Sequence, residues 1–267
     1  MNRSPAVAGQ FYPDNPSILR RLVQGYCPVA AEKIAALGIM VPHAGYVYSG
    51  AIAGAAFSRI RIPAKVILLG PNHHGLGARA ALFPAGNWQT PLGPMAIDED
   101  LAGELSAACP LLSEDSRAHL AEHSLEVQIP FLQVLAPDCR IVPLCLGHLS
   151  LAELLELGAA LARILAAHPG EVLMVASSDM THYEPGVVAR EKDERALQRI
   201  IALDPAGLYQ TVRVGHISMC GVLPTVAMLE AARLAGASRA TLVRYGNSGD
   251  ITGDQSSVVG YAGVVLS

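Results

Sequence analysis

Six short apolar runs punctuate the chain: AALGIMVP (35–42), KVILLG (65–70), RIVPLCLG (140–147), EVLMVASS (171–178), ATLVRYG (240–246) and SVVGYAGVVL (257–266). Several are apolar at every position rather than at alternate ones, which is the pattern of strands covered on both faces. Longer stretches with apolar residues at helical spacing lie between and around them, at 17–26, 49–60, 99–108, 123–135, 151–168, 188–202 and 223–236. Strand and helix in alternation predict an α/β fold with a mainly parallel central sheet flanked by helices, and such sheets bind ligands beyond the carboxyl ends of their strands. The stretch FPAGNWQTPLGPMAID (83–98) predicts a β-hairpin beside the main sheet. With no internal repeat and no Pro/Ser-rich linker, one domain spanning residues 1–267 is expected.

The polar residues that packing does not explain fall where these strands end. MVPHAGYVYSG delivers His43 after the first run, GPNHHG delivers His73 and His74 after the second, and ASSDMTHY delivers Asp179 and His182 after the fourth. Taken singly, a strand-end histidine is more often a loop residue or a satisfied core residue than a ligand. Three such loops on one side of a sheet make a metal or acid–base site, because neutral imidazole donates a lone pair and a nearby carboxylate fixes its tautomer. AEHSLEVQIPFL places His123 and Glu126 at i and i+3, expected on one face of a helix start, with Ser124 or Glu122 available as a cap. A simple capping box beside a surface histidine is the other reading of that stretch. HISMCGVLPTV sets Cys220 just ahead of a helix, where a thiolate gains from the N-terminal dipole, although a buried inert thiol has the same signature.

Composition narrows the function classes. The 267 residues are 51% hydrophobic with mean hydropathy +0.35 and a formal charge of −4, without a Lys/Arg run, so nucleic acid is not an expected partner. No apolar run reaches the length of a membrane span and the N-terminus lacks the apolar core of a secretory signal, so a cytoplasmic location is expected. Five widely spaced cysteines without a CxxC pair suit a reducing compartment.

Taken in order, AGQFYP, PHAGYVYSG, GPNHH, EHSLEVQIPFL, SSDMTH, MCG and YGNSGDITGD followed by SSVVGYAG resemble the motifs of the Memo family, whose microbial members are also called AmmeMemoRadiSam system protein B. The resemblance covers essentially the whole chain. It implies a fold similar to class III extradiol ring-cleaving dioxygenases (LigB-like) and a mononuclear metal held by the positions of His43, His73 and Cys220. It also implies that Asp179 and His182 line the same pocket. MTHY departs from what some relatives carry around His182, which bears on the shape of the pocket.

A two-histidine, one-thiolate site leaves coordination positions open and is softer than the usual carboxylate triad. One metal ion is therefore expected, iron first, with copper or zinc as alternatives. His182 is the expected proton-transfer residue, oriented by Asp179 or Glu126; His123 is a second candidate, and His74 is expected to line the pocket or orient a neighbour. The implied activity is metal-dependent oxidoreduction on an unknown small aromatic or peptide substrate. The alternatives are a non-catalytic protein that handles redox metal or binds peptide, and a zinc hydrolase. The family name further implies company with a radical-SAM protein and another protein of the same system.

Overall fold

In the computed structural model, which describes residues 1–29 and 32–267, the chain runs β1 (Asn2–Arg3), α1 (Pro16–Tyr26), β2 (Gly38–Val41), α2 (Tyr46–Ser58), β3 (Lys65–Pro71), β4 (Ala80–Leu82), β5 (Asn87–Thr90), β6 (Gly93–Ala96), α3 (Glu99–Ala108) and β7 (Ser113–Glu114). It continues through α4 (Ile129–Leu135), β8 (Arg140–Leu146), α5 (Leu151–Ala167), β9 (Val172–Ser177), β10 (His182–Glu184), α6 (Gly186–Ile201), α7 (Pro205–Val214), α8 (Val222–Leu234), β11 (Ala240–Asn247), α9 (Gly249–Thr252) and β12 (Val258–Leu266).

The expected α/β architecture is present. The main sheet runs β10-β12-β2-β9-β3-β8-β4-β7, with β11 pairing the other side of β12. At its centre β2, β9, β3 and β8 are parallel, while β12 and β4 join antiparallel at either side. All six predicted runs are strands here, and the expected hairpin is β5–β6, which forms a separate small sheet with β1.

Both faces of the centre are dry, and the period of a strand shows how. Ile67 and Leu69 of β3, with Met174 and Ala176 of β9, pack into one cluster under α5 and α8; Val66 and Leu68, with Leu173 and Val175, pack into another under α1, α2 and α4. Uniformly apolar runs follow directly from two covered faces. Phe57 of α2 stacks on Phe131 of α4 at 5.3 Å between ring centroids, closing the second cluster.

One predicted helix starts late. Residues 123–125 are not helical; a short 3-10 turn at Glu126–Gln128 leads into α4, so His123 and Glu126 do not share a helix face. The chain is held instead by Glu122, whose carboxylate accepts from the backbone N–H of Ser124 at 2.9 Å. Conversely α7 lies where the sequence reading placed nothing, although Asp204 caps it through Gly207 N–H and Pro205 opens it.

Candidate metal centre

Parallel strands bring their carboxyl ends to one edge, and the order β2-β9-β3 makes neighbours of the loops that follow them. His43 comes two residues after β2, Asp179 two after β9 and His73 two after β3. His123 arrives from the turn before α4. One side-chain nitrogen from each of His43, His73 and His123 lies within 4.8 Å of the other two.

Two hydrogen-bond chains decide which nitrogen each ring offers. Ser177, the last residue of β9, donates its only hydroxyl proton to Ser124 O at 2.6 Å and accepts from Gln128 Nε2 at 2.9 Å. Its 2.9 Å contact with His43 Nδ1 is therefore donated by the imidazole, which leaves the lone pair on His43 Nε2. Glu122 does the same for His73: Oε1 takes Nδ1–H at 2.9 Å and Oε2 takes the backbone N–H at 2.8 Å, so Nε2 carries the free lone pair. Nδ1 of His123 stands 3.5 Å from the same Oε1.

The sulfur of Cys220 lies 3.2 Å from His43 Nε2. Gly221 makes that approach possible. A Cβ there would meet Ser177 O at 2.3 Å, and its N–H donates to Ser178 Oγ at 3.1 Å, so only glycine lets the start of α8 press against the end of β9.

Electrostatics favours the lone-pair form in two of the three histidines and the protonated form in His73 and Cys220. Burial, then the charge of neighbouring His73, pushes the imidazolium of His43 down to about 3, and burial, then His43, takes His123 to about 4. Both rings are neutral donors near pH 7. Burial pulls His73 down too, but the hydrogen bond and charge of Glu122 outweigh it and raise the ring above its ordinary value. Burial opposes ionisation of Glu122, yet the His73 bond and charge and two backbone N–H groups hold it well below the usual carboxylate range. Burial and the Asp179 charge push the Cys220 thiol up, against the sequence expectation that the helix dipole would favour thiolate.

The three histidine nitrogens are grouped closely enough to hold one ion, with the Cys220 sulfur beside His43. In a tetrahedral site, bonds of about 2.0–2.1 Å to nitrogen and about 2.3 Å to sulfur place ligand atoms roughly 3.3–3.6 Å apart. The Cys220–His43 separation of 3.2 Å is close to that, while the histidine nitrogens, within 4.8 Å of one another, would close by up to about 1.5 Å around an ion. The donor set of imidazole and thiol suits a transition metal rather than magnesium or calcium.

The remaining expected residues divide. Asp179 is buried, its Oδ1 accepting His43 N–H at 2.7 Å, and burial raises its carboxyl. His182, on β10, is oriented by Ser218 rather than by Asp179 or Glu126: Nδ1–H donates to Ser218 O at 2.9 Å, freeing Nε2. Its charge is felt at both His43 and Asp179. His74 is exposed on the loop after β3. Glu126 does not join the site. It is fully buried against Arg3 at 2.7 Å and accepts from Ala6 N–H, Val7 N–H and Tyr12 OH, so its lone pairs are spent on the N-terminal segment. Ser177 and Glu122 orient the His43 and His73 rings; the motifs do not single out Ser177 and offer Glu122 only as a cap, with the Glu-His pair at 122–123 as the available signal.

A parallel α/β sheet that gathers three histidines at the carboxyl edge of its strands defines a class of protein with a candidate metal centre. Within that class the chain belongs to the Memo family: the family profile described as Memo-like protein matches residues 3–265. MEMO1 family proteins from Methanopyrus kandleri and Aquifex aeolicus are each 42% identical to it, covering 100% and 99% of this chain and 99% and 98% of their own. One from Methanothermobacter thermautotrophicus is 39% identical over 98% of this chain and 99% of its own. A crystal structure of an uncharacterized protein from Escherichia coli K12 superposes with a TM-score of 0.57 over 86% of this chain and 99% of that one; at 16% identity the likeness is of fold alone. Among the described residues no helix is long and apolar enough to cross a membrane.

Proposed function

We propose that the chain is a metal-dependent oxidoreductase in which His43, His73 and Cys220 hold one transition-metal ion, iron before copper or zinc. The observation that carries this reading is the convergence of two imidazole lone pairs, fixed by Ser177 and Glu122, beside a thiol 3.2 Å from one of them. Second partners of this kind fix ring orientation and raise ligand basicity, so the cluster is organised for an ion rather than for packing alone. The side chain of His73 keeps 30% of its surface exposed, which opens the centre to small molecules or to a peptide.

When bound, the metal would supply a Lewis-acid and redox centre with open positions, and would hold Cys220 as thiolate. The protein's own part is proton handling. His182 Nε2 and the neutral ring of His123 are bases beside the centre, and Asp179 fixes the His43 backbone from behind. The substrate class is a small aromatic or a peptide.

The test is to purify the protein without oxygen, load it with Fe(II), and measure metal content and oxygen uptake with catechol-like compounds. Stoichiometric metal with metal-dependent uptake supports the reading. Tight stoichiometric binding without turnover would assign the chain to metal handling, and no binding of any transition metal would end it.

A further inference from the structure

We infer that Arg3, at the far N-terminal end of the chain, is a positioning residue for the metal centre, acting through the loop that carries Glu122, His123 and Ser124. The inference rests on the proposed metal-binding reading of that site.

Arg3 is 1% exposed, an unusual place for a guanidinium. Strand β1 pairs it directly opposite Trp88 of β5, and its guanidinium lies over that indole at 4.2 Å. Its N–H groups then reach across to residues 119–126. Nε donates to His119 O at 2.6 Å, Nη2 to Glu122 O at 2.6 Å and Nη1 to Glu126 Oε2 at 2.7 Å. Two backbone carbonyls and one carboxylate are thus held by a single planar fork, a geometry that a lysine ammonium does not reproduce.

The clamped loop supplies the acceptors that set the tautomers of His73 and, through Ser177, His43. Glu122 sets the His73 tautomer; Ser124 O takes the Ser177 proton and so forces Nδ1–H onto His43; His123 sits between them. Residues 122–125 have no helix of their own to fix them. Besides the local bonds from Ser124 N–H to Glu122 and from Val127 N–H to His123 O, their backbone is tied to the N-terminal segment by Arg3 at Glu122 O and by Glu126, which in turn ties down Ala6, Val7 and Tyr12. Phe11 of the same N-terminal segment packs on the His123 ring at 4.8 Å. The N-terminal dozen residues therefore form the far wall of the centre.

The test compares wild type, Arg3→Lys and the double variant Arg3→Met/Glu126→Gln, with Leu157→Ala in α5 as a core variant remote from the site. Lysine keeps the charge beside Glu126 but releases at least one carbonyl; the double variant removes both charges, so no ion is left unpaired if the lysine variant fails to fold. Two readouts are taken: Co(II) affinity, and nitrogen NMR of the histidine rings in metal-free protein. The expected result is Co(II) affinity lower by about 10- to 100-fold in the Arg3 variants, with the single-tautomer ring signals of His73 and His43 lost. Leu157→Ala should keep both, however much it lowers the melting temperature. Folded Arg3 variants with wild-type affinity and wild-type ring signals would overturn the inference. Wild type that takes up no Co(II) would instead refute the metal reading, and the ring signals alone would then decide whether Arg3 orients these histidines.

Discussion

Glu122 grips His73 at two points, taking the ring Nδ1–H on Oε1 at 2.9 Å and the backbone N–H on Oε2 at 2.8 Å, while its Oε1 also accepts Ser124 N–H. A single buried carboxylate thereby joins the end of β3 to the turn before α4 and decides which nitrogen His73 presents.

Glu122→Gln tests that coupling. An amide has one oxygen, so either the ring N–H or the backbone N–H of His73 must face an NH2 group instead of an acceptor. Metal affinity should fall by about 10- to 100-fold, and stability by about 1–3 kcal/mol from the unmet buried donor. Chelator competition reads the first and urea unfolding the second. Unchanged affinity would show that the His73 tautomer does not matter for binding.

Two helical glycines should respond to alanine with opposite signs. Gly103 in α3 is exposed, and a Cβ there meets nothing within 4 Å, so Gly103→Ala should stabilise by about 0.5–1 kcal/mol through helix propensity. A Cβ at Gly54 in α2 would sit 2.3 Å from Tyr26 O at the end of α1, and backbone cannot step aside as a side-chain tip can. Gly54→Ala should therefore destabilise by roughly 1–3 kcal/mol despite the same propensity gain. Urea midpoints of the two variants moving in the same direction would contradict this account.

The legibility of these features in the sequence follows the range of the interactions behind them. The strands β2, β3, β8 and β9 are readable because both faces are buried, and the pattern that results is local. His43, His73 and Asp179 were readable because a strand end is a local signal and parallel pairing carries three such ends together. The spacing predicts a helix from 123 because the apolar pattern continues into α4; what delays it is the Glu122 carboxylate folding back on Ser124 N–H. Glu126 was misplaced for a different reason: its partner, Arg3, lies 123 residues away, and nothing near either residue announces the pair. The relay from Ser124 O through Ser177 to His43 is equally invisible, since it joins three separate segments.

The cap of α5 offers a check on local chemistry away from the site. Ser150 Oγ accepts Glu153 N–H at 3.3 Å, and the Glu153 carboxylate returns to Ser150 N–H at 2.8 Å, a reciprocal capping box. Ser150→Ala should cost about 0.5–2 kcal/mol in urea unfolding while leaving metal binding untouched. Loss of metal from this variant would mean that α5 communicates with the centre through the sheet.

The third protein ligand is the sharpest remaining choice, because His123 approaches both His43 and His73 while Cys220 approaches His43. Cys220 Sγ lies 3.2 Å from the very nitrogen that Ser177 leaves unprotonated, whereas His123 shares Glu122 with His73 and stacks on its ring at 4.8 Å between centroids. His123 offers a nitrogen within 4.8 Å of those of both His43 and His73, so the proposal that Cys220 is the third ligand and His123 a base beside the ion needs its own test. Co(II)-loaded wild type should therefore show a near-ultraviolet thiolate charge-transfer band. Cys220→Ser should lose the band and bind more weakly, and His123→Ala should keep the band with affinity within a few fold of wild type. Gly221→Ala supplies an independent arm: its Cβ would meet Ser177 O at 2.3 Å, driving the start of α8 away from β9 and carrying Cys220 out of reach. That variant should lose the band although its thiol is intact by chemical titration. A band that survives Cys220→Ser, together with metal loss in His123→Ala, would make the centre an all-histidine site and return Cys220 to the role of a buried thiol.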